Sequence, residues 1–204
     1  STTMAGAMFR YLFEIWLRSP ITTNEMWKDF SKKISRLVAW KALLDEWKDK
    51  VIQLTLVFQN FYYEPIIKEH SSQKKKINRA QDNSKEQQQQ QDAIPKDPEI
   101  VSINWTEEKI KNDWYTMIYI LGNLNSITLP ENFTTAFSCC LSVIDLVLSA
   151  EEKTPITMEP IIPVCKIFLP WLLEACSIDE KRNRGRLVAY NALCKLFCRL
   201  HIPG

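Results

Sequence analysis

Between Leu44 and Phe61 the apolar residues Leu44, Trp47, Val51, Leu54, Phe58 and Phe61 follow one another at steps of 3-4-3-4-3. That period is one face of an α-helix and not a strand, whose side chains alternate with a period of two. It predicts a helix from about Trp40 to Tyr63, with the stripe as a face buried against its neighbours. Ile52 and Leu56 flank it and give a wider apolar arc than a seam to another chain needs.

The same period recurs along the chain. Phe9, Leu12, Phe13 and Trp16 place a first helix from about Met4 to Arg18, stopped by Pro20. Thr22, Thr23 and Asn24 supply a cap for a second, with Trp27, Phe30, Ile34 and Leu37 on its apolar side. Thr106 followed by Glu107 and Glu108 starts a fourth helix carrying Ile110, Trp114, Met117 and Leu121, and Gly122 ends it. Pro130 opens a fifth, marked by Phe133, Phe137, Cys140, Ile144 and Leu148 and ending before Pro155. A sixth runs from about Pro160–Pro163 to Cys176 with Pro170 inside it, and a seventh after the charged stretch 179–186 uses Leu187, Tyr190, Leu193, Phe197 and Leu200.

Seven helices with no strand-period segment predict an all-α fold of antiparallel helical hairpins. Several helices carry apolar residues beyond one stripe: Met8, Tyr11 and Ile15 in the first, Leu141, Leu146 and Val147 in the fifth. Helices with neighbours on two sides look this way, so the expected architecture is an α-solenoid fragment of HEAT or armadillo type. Residues 68–102, with Lys74, Lys75, Lys76 and the run Gln87–Gln91, have the composition of a disordered insertion. The expected organisation is helices one to three in 1–67, the insertion in 68–102, and helices four to seven in 103–204, packed with the first half as one helical domain.

Composition narrows function mainly by exclusion. A net charge of +2 is too small to steer nucleic acid, and no apolar stretch is expected to span a bilayer. No signal peptide stands at the start, so the expected compartment is the cytoplasm, where the sequons at Asn104 and Asn132 have no role. The six cysteines, at 139, 140, 165, 176, 194 and 198, sit in apolar helical runs and are expected to be reduced core residues, Cys194 and Cys198 included. His70 and His201 lack partners at a metal-binding spacing. With four glycines and no phosphate loop or nucleophile elbow, no catalytic, cofactor-binding or metal-ligating residue is assigned. Glu107, Glu108, Asp179 and Glu180 read as helix-start acids; Lys181, Arg182, Arg184 and Arg186 read as a solvated linker, with an arginine finger or an acidic-partner patch as the alternatives.

Several residues carry a resemblance. Met4-Ala5-Gly6, Trp27-Lys28-Asp29, and Trp40 through Leu44 to Glu46-Trp47 do so in the first half. In the second half they are Trp114, Ile120-Leu121-Gly122-Asn123-Leu124-Asn125-Ser126-Ile127, Pro163, Pro170-Trp171-Leu172, and Gly185-Arg186-Leu187-Val188-Ala189-Tyr190 with Leu193-Cys194. Over about 4–70 and 105–200 the chain resembles the helical region of the Ral GTPase-activating protein α subunits, relatives of tuberin. The resemblance implies a parent protein that promotes GTP hydrolysis by Ras-family GTPases of the Ral, Rap or Rheb kind. In that family a separate C-terminal α/β domain supplies a catalytic asparagine, and Asn123, Asn125 and Asn191 are not matched to it. The segment is therefore expected to be non-catalytic, to meet a β-type partner subunit, and to reach a GTPase only through a domain it does not contain. The competing expectation is a stand-alone solenoid adaptor unrelated to GTPases.

Overall fold

The computed structural model describes residues 3–79, 105–154 and 161–199, with side chains for all of these but 73–79 and 199. Seven α-helices stand among the described residues: α1 (Met4–Arg18), α2 (Asn24–Ile34), α3 (Lys41–Arg79), α4 (Glu107–Tyr119), α5 (Pro130–Glu151), α6 (Val164–Cys176) and α7 (Asn183–Arg199). No strand occurs among them, and the fold is all-α. Short 3-10 turns at Ser35–Leu37, Leu124–Ser126 and Glu180–Arg182 help to join them.

The helix starts follow local chemistry. Thr3, Thr23 and Thr106 each accept a hydrogen bond from a backbone N–H three residues on, satisfying a donor that the first turn leaves without a helical partner. Pro130 opens α5 where its missing N–H costs nothing. After α4, Gly122 takes φ +76, the left-handed conformation expected of a residue closing a helix.

Cross-helix contacts fix the direction of each helix. Arg10 pairs with Glu46 and Glu14 with Lys50, so α1 and α3 advance together and run parallel. Asn132 donates to the Val38 carbonyl and Gln59 to that of Leu146, so α3 and α5 are parallel too. Gly185 lies against Phe133 and Lys195 pairs with Asp145, giving the same relation between α5 and α7. In contrast, Trp47 reaches the Met117 carbonyl, Thr55 meets Trp114 and Tyr62 meets the Glu107 carbonyl, so α4 runs against α3. The odd-numbered helices thus form a row, α1–α3–α5–α7, each parallel to the next. On the other side, Ser31 of α2 donates to the Ile120 carbonyl at the end of α4, and Tyr119 of α4 packs edge-on against Trp171 of α6.

The core lies between these two sets and is rich in aromatic rings. Trp16 stacks on Phe30 with centroids 4.3 Å apart, Phe58 on Tyr62 at 4.4 Å, and Phe133 packs on Phe137 at 4.6 Å. Leu44, Trp47, Val51, Leu54 and Phe58 are buried as the stripe predicted. Phe61 is not: it is 42% exposed, and Tyr63 is the buried ring in the following turn.

Two expectations about α3 are corrected. The helix does not end at Tyr63, and residues 68–79 are helical. Pro65 lies inside α3, where it removes a single donor; the Glu64–Lys68 pair at 2.9 Å bridges that turn, and no glycine follows to break it. The remainder of the expected insertion, 80–102, lies outside the described residues. The expectation that no apolar stretch is long enough to span a bilayer is also corrected, because α5 has 22 residues and an 18-residue window of mean hydropathy 1.7. That apolarity is used within the fold: Phe133, Phe137, Cys140, Val143, Ile144 and Val147 are buried between α3 and α7.

Candidate functional site

Several of the residues weighed as candidates from sequence hold the turns of the fold together. Arg182 donates from one guanidinium nitrogen to the Asn125 and Ile127 carbonyls at 3.1 and 3.0 Å, pairs with Asp179 at 2.8 Å, and lies over the Phe133 ring. It fastens the turn before α7 to the turn before α5. Asp179 caps the following 3-10 turn through Lys181 N, and the Arg182 guanidinium beside it holds its carboxyl below the usual range. Glu107 and Glu108 open α4 as first-turn acids. Asn125 is buried and donates to the Trp171 carbonyl and the Glu174 carboxylate, which ties α6 to the turn after α4. Asn132 is 2% exposed and its amide nitrogen is spent on Val38, so that sequon presents no accessible acceptor.

Cys139 and Cys140 are buried; burial raises the Cys139 thiol well above its ordinary value and pushes Cys140 up to about 12, so both stay protonated. Cys194 and Cys198 overturn the expectation of a core pair. Both are exposed on the outer face of α7. His70 is half-buried on α3, and His201 and Asn104 lie outside the described residues, as do the side chains of Lys74, Lys75 and Lys76. Among the described residues no group of three His, Cys, Asp or Glu side chains is placed to hold a metal ion.

What the fold leaves open is its two outermost helices. On α7 the inner side is Gly185, Ala189, Ala192, Leu193 and Leu196, whereas Leu187, Tyr190 and Phe197 are exposed. Of the face expected from periodicity, Leu193 is buried, whereas Leu187, Tyr190 and Phe197 are not, and Leu200 lies outside the described residues. The reason is distance: a Cβ on Gly185 would lie 2.2 Å from the Phe133 ring, so only a stripe of small residues lets α7 settle onto α5. The large apolar side chains then point outward, and on α6 Leu173 is half exposed as well. Beside them Lys41, Pro130, Glu131, Thr134, Lys181, Asn183 and Arg184 line an open groove of about 620 Å³ at the starts of α3, α5 and α7. Lys41 pairs with Asp45, and Lys181, Arg184 and Glu131 are the groove's other charged residues. On α1 the open stripe is Met4, Met8, Tyr11 and Ile15.

An exposed apolar stripe with cations at its edge is thus the most open surface at this end of the row. Comparison with known proteins places it in context. The family model described as RALGAPB N-terminal domain matches residues 1–65, that is α1, α2 and the first two-thirds of α3. The human Ral GTPase-activating protein subunit alpha-1 is 30% identical over 94 residues, 42% of this chain, and the rat alpha-1 subunit matches to the same extent. The chain is related to the Ral GTPase-activating protein subunits. Mouse subunit alpha-2 is 33% identical over 64 residues, 30% of the chain. The matched stretch is 5% of the alpha-1 subunits and 3% of alpha-2, so the chain corresponds to a short piece of these relatives. No solved structure matches the chain.

Proposed function

We propose that this chain is a non-catalytic scaffold segment of a Ral GTPase-activating protein, an α-solenoid piece that positions other segments or a β-type partner subunit so that a catalytic domain elsewhere promotes GTP hydrolysis by a Ras-family GTPase. The observation that carries it is the parallel row α1–α3–α5–α7 with apolar residues facing outward at its end: Leu187, Tyr190 and Phe197 have a lateral face and, among the described residues, no helix to cover it. A row of helices that buries one side of each member against the last, and exposes an apolar side on its final member, supports the reading of a repeat array. The relation to both a β-named domain and α-named subunits supports a helical module common to the two subunit types. A cytoplasmic setting follows from this assignment. The occupant of the α7 face is a helix of the same assembly, apolar on one side, with acids to meet Lys181 and Arg184.

The test is binding of purified chain to purified Ral GTPase-activating protein α and β subunits. Tyr190→Glu with Phe197→Glu buries two charges in the docked state and should weaken binding by about a hundredfold or more, since each such burial costs a few kcal/mol. The double variant should keep its thermal midpoint because both residues are half exposed. Undiminished binding by a folded double variant removes the α7 face from the proposal; no binding of wild-type chain to either subunit removes the scaffold role.

A further inference from the structure

The fold divides the six cysteines of the chain into two kinds. Cys139 and Cys140 are buried in α5, Cys165 and Cys176 are half-buried on α6, and desolvation raises all four thiols. Cys194 and Cys198 are instead exposed, and both are free thiols. They stand four residues apart within α7, so they lie one above the other on a single helix face, with Cβ atoms about 5–6 Å apart. Lys195, the next residue after Cys194, turns away to pair with Asp145 of α5. The thiol pair therefore stands on the outer face of the helix without a cation set between its members.

This spacing does not suit a disulfide, which needs Cβ atoms about 3.5–4.5 Å apart. It does suit one ion held between two sulfurs. Metal–thiolate bonds of about 2.3 Å on either side of an ion span roughly 4.6 Å, and rotation about the two χ1 angles brings the sulfurs to that separation with the helix intact. The donor set then selects the ion. Zinc takes four ligands in a tetrahedron, and among the described residues no third His, Cys, Asp or Glu side chain completes such a group. Two soft thiolates without a hard donor favour Cu(I), which completes its coordination with two ligands. We infer that Cys194 and Cys198 form a two-thiolate clamp on the outer face of α7 that takes one Cu(I) ion per chain. On binding, each thiol gives its proton to solvent and a Cu–S bond replaces each S–H bond, with no change in oxidation state. The inference is independent of the scaffold reading.

Anaerobic titration of the reduced 204-residue chain with Cu(I), in competition with the chromogenic chelator bicinchoninate, tests this. The wild type should withdraw one equivalent of copper from the chelator, release two protons and gain a sulfur-to-copper charge-transfer band in the ultraviolet. Cys194→Ser or Cys198→Ser alone should weaken binding by about a hundredfold or more, because the second thiol then no longer acts from the same helix at high effective concentration. The thermal midpoint of either copper-free variant should match the wild type, since both side chains are exposed. Cys165→Ser and Cys176→Ser should bind copper as the wild type does. Copper left with the chelator by the wild-type chain overturns the inference, as does binding that survives both Cys194→Ser and Cys198→Ser or is lost instead on Cys176→Ser. One ion shared by two chains, read from sedimentation of the loaded protein, overturns the clamp within a single helix.

Discussion

Replacing Trp47 by alanine is expected to cost the chain roughly 3–5 kcal/mol, and to lower its thermal midpoint by about 6–20 °C. The indole is 1% exposed and sits where α3 meets α4. Its Nε1 donates to the Met117 carbonyl at 2.7 Å, in the last turn of α4, where carbonyls run out of helical partners. Alanine removes the ring, leaves a cavity and takes away a buried donor. Trp47→Phe keeps most of the volume and loses the hydrogen bond, so it should fall between, at about 1–3 kcal/mol. Thermal unfolding followed by circular dichroism separates the three proteins. A Trp47→Ala chain with the wild-type midpoint would mean that the central stripe of α3 is not core.

The second large effect is expected at Lys50. Its Nζ lies 2.8 Å from the Glu14 carboxylate, and the two side chains are only 3% and 11% exposed, so the pair is the buried tie between α1 and α3. Removing Lys50 takes the ammonium from the Glu14 carboxylate in a dry site, and Lys50→Ala should cost about 3–5 kcal/mol. Attraction and desolvation nearly cancel in such a pair, so replacing both members with neutral groups of similar size should restore most of the loss. Denaturant unfolding of Lys50→Ala and of the Glu14→Gln, Lys50→Met double variant tests the sign of that cancellation. A double variant weaker than Lys50→Ala would show that the pair contributes net stability instead of fixing the register of α1 on α3.

Helices whose start is written in a cap were legible in sequence, because Thr23, Thr106 and Pro130 act through residues close by in the chain. Which of two apolar faces turns inward was not. On α7 the expected face Leu187-Tyr190-Leu193-Phe197 and the smaller stripe Ala189-Ala192-Leu196 both repeat at helical spacing, and of the first only Leu193 is core. The Phe133 ring against Gly185 decides for the second, and that ring lies 52 residues away in the chain (185 − 133). Cys194 and Cys198 were misplaced with the same face. The length of α3 was hidden for another reason: the polar composition from Lys68 onward read as disorder, whereas a long helix anchored over its first half by Trp47, Leu54 and Phe58 carries the later turns with it. Arg182 was visible as a charge, but its role as a clamp on Asn125 and Ile127 depends on a turn brought to it by α5.

The scaffold role is tested most directly by single-turnover GTP hydrolysis on a Ral-type GTPase, with and without the purified chain at tens of micromolar. The account predicts the intrinsic rate, unchanged by the chain or by any substitution on its α1 or α7 faces. Acceleration by the chain alone, abolished by changing one of its residues, would contradict it and place catalytic chemistry inside these helices.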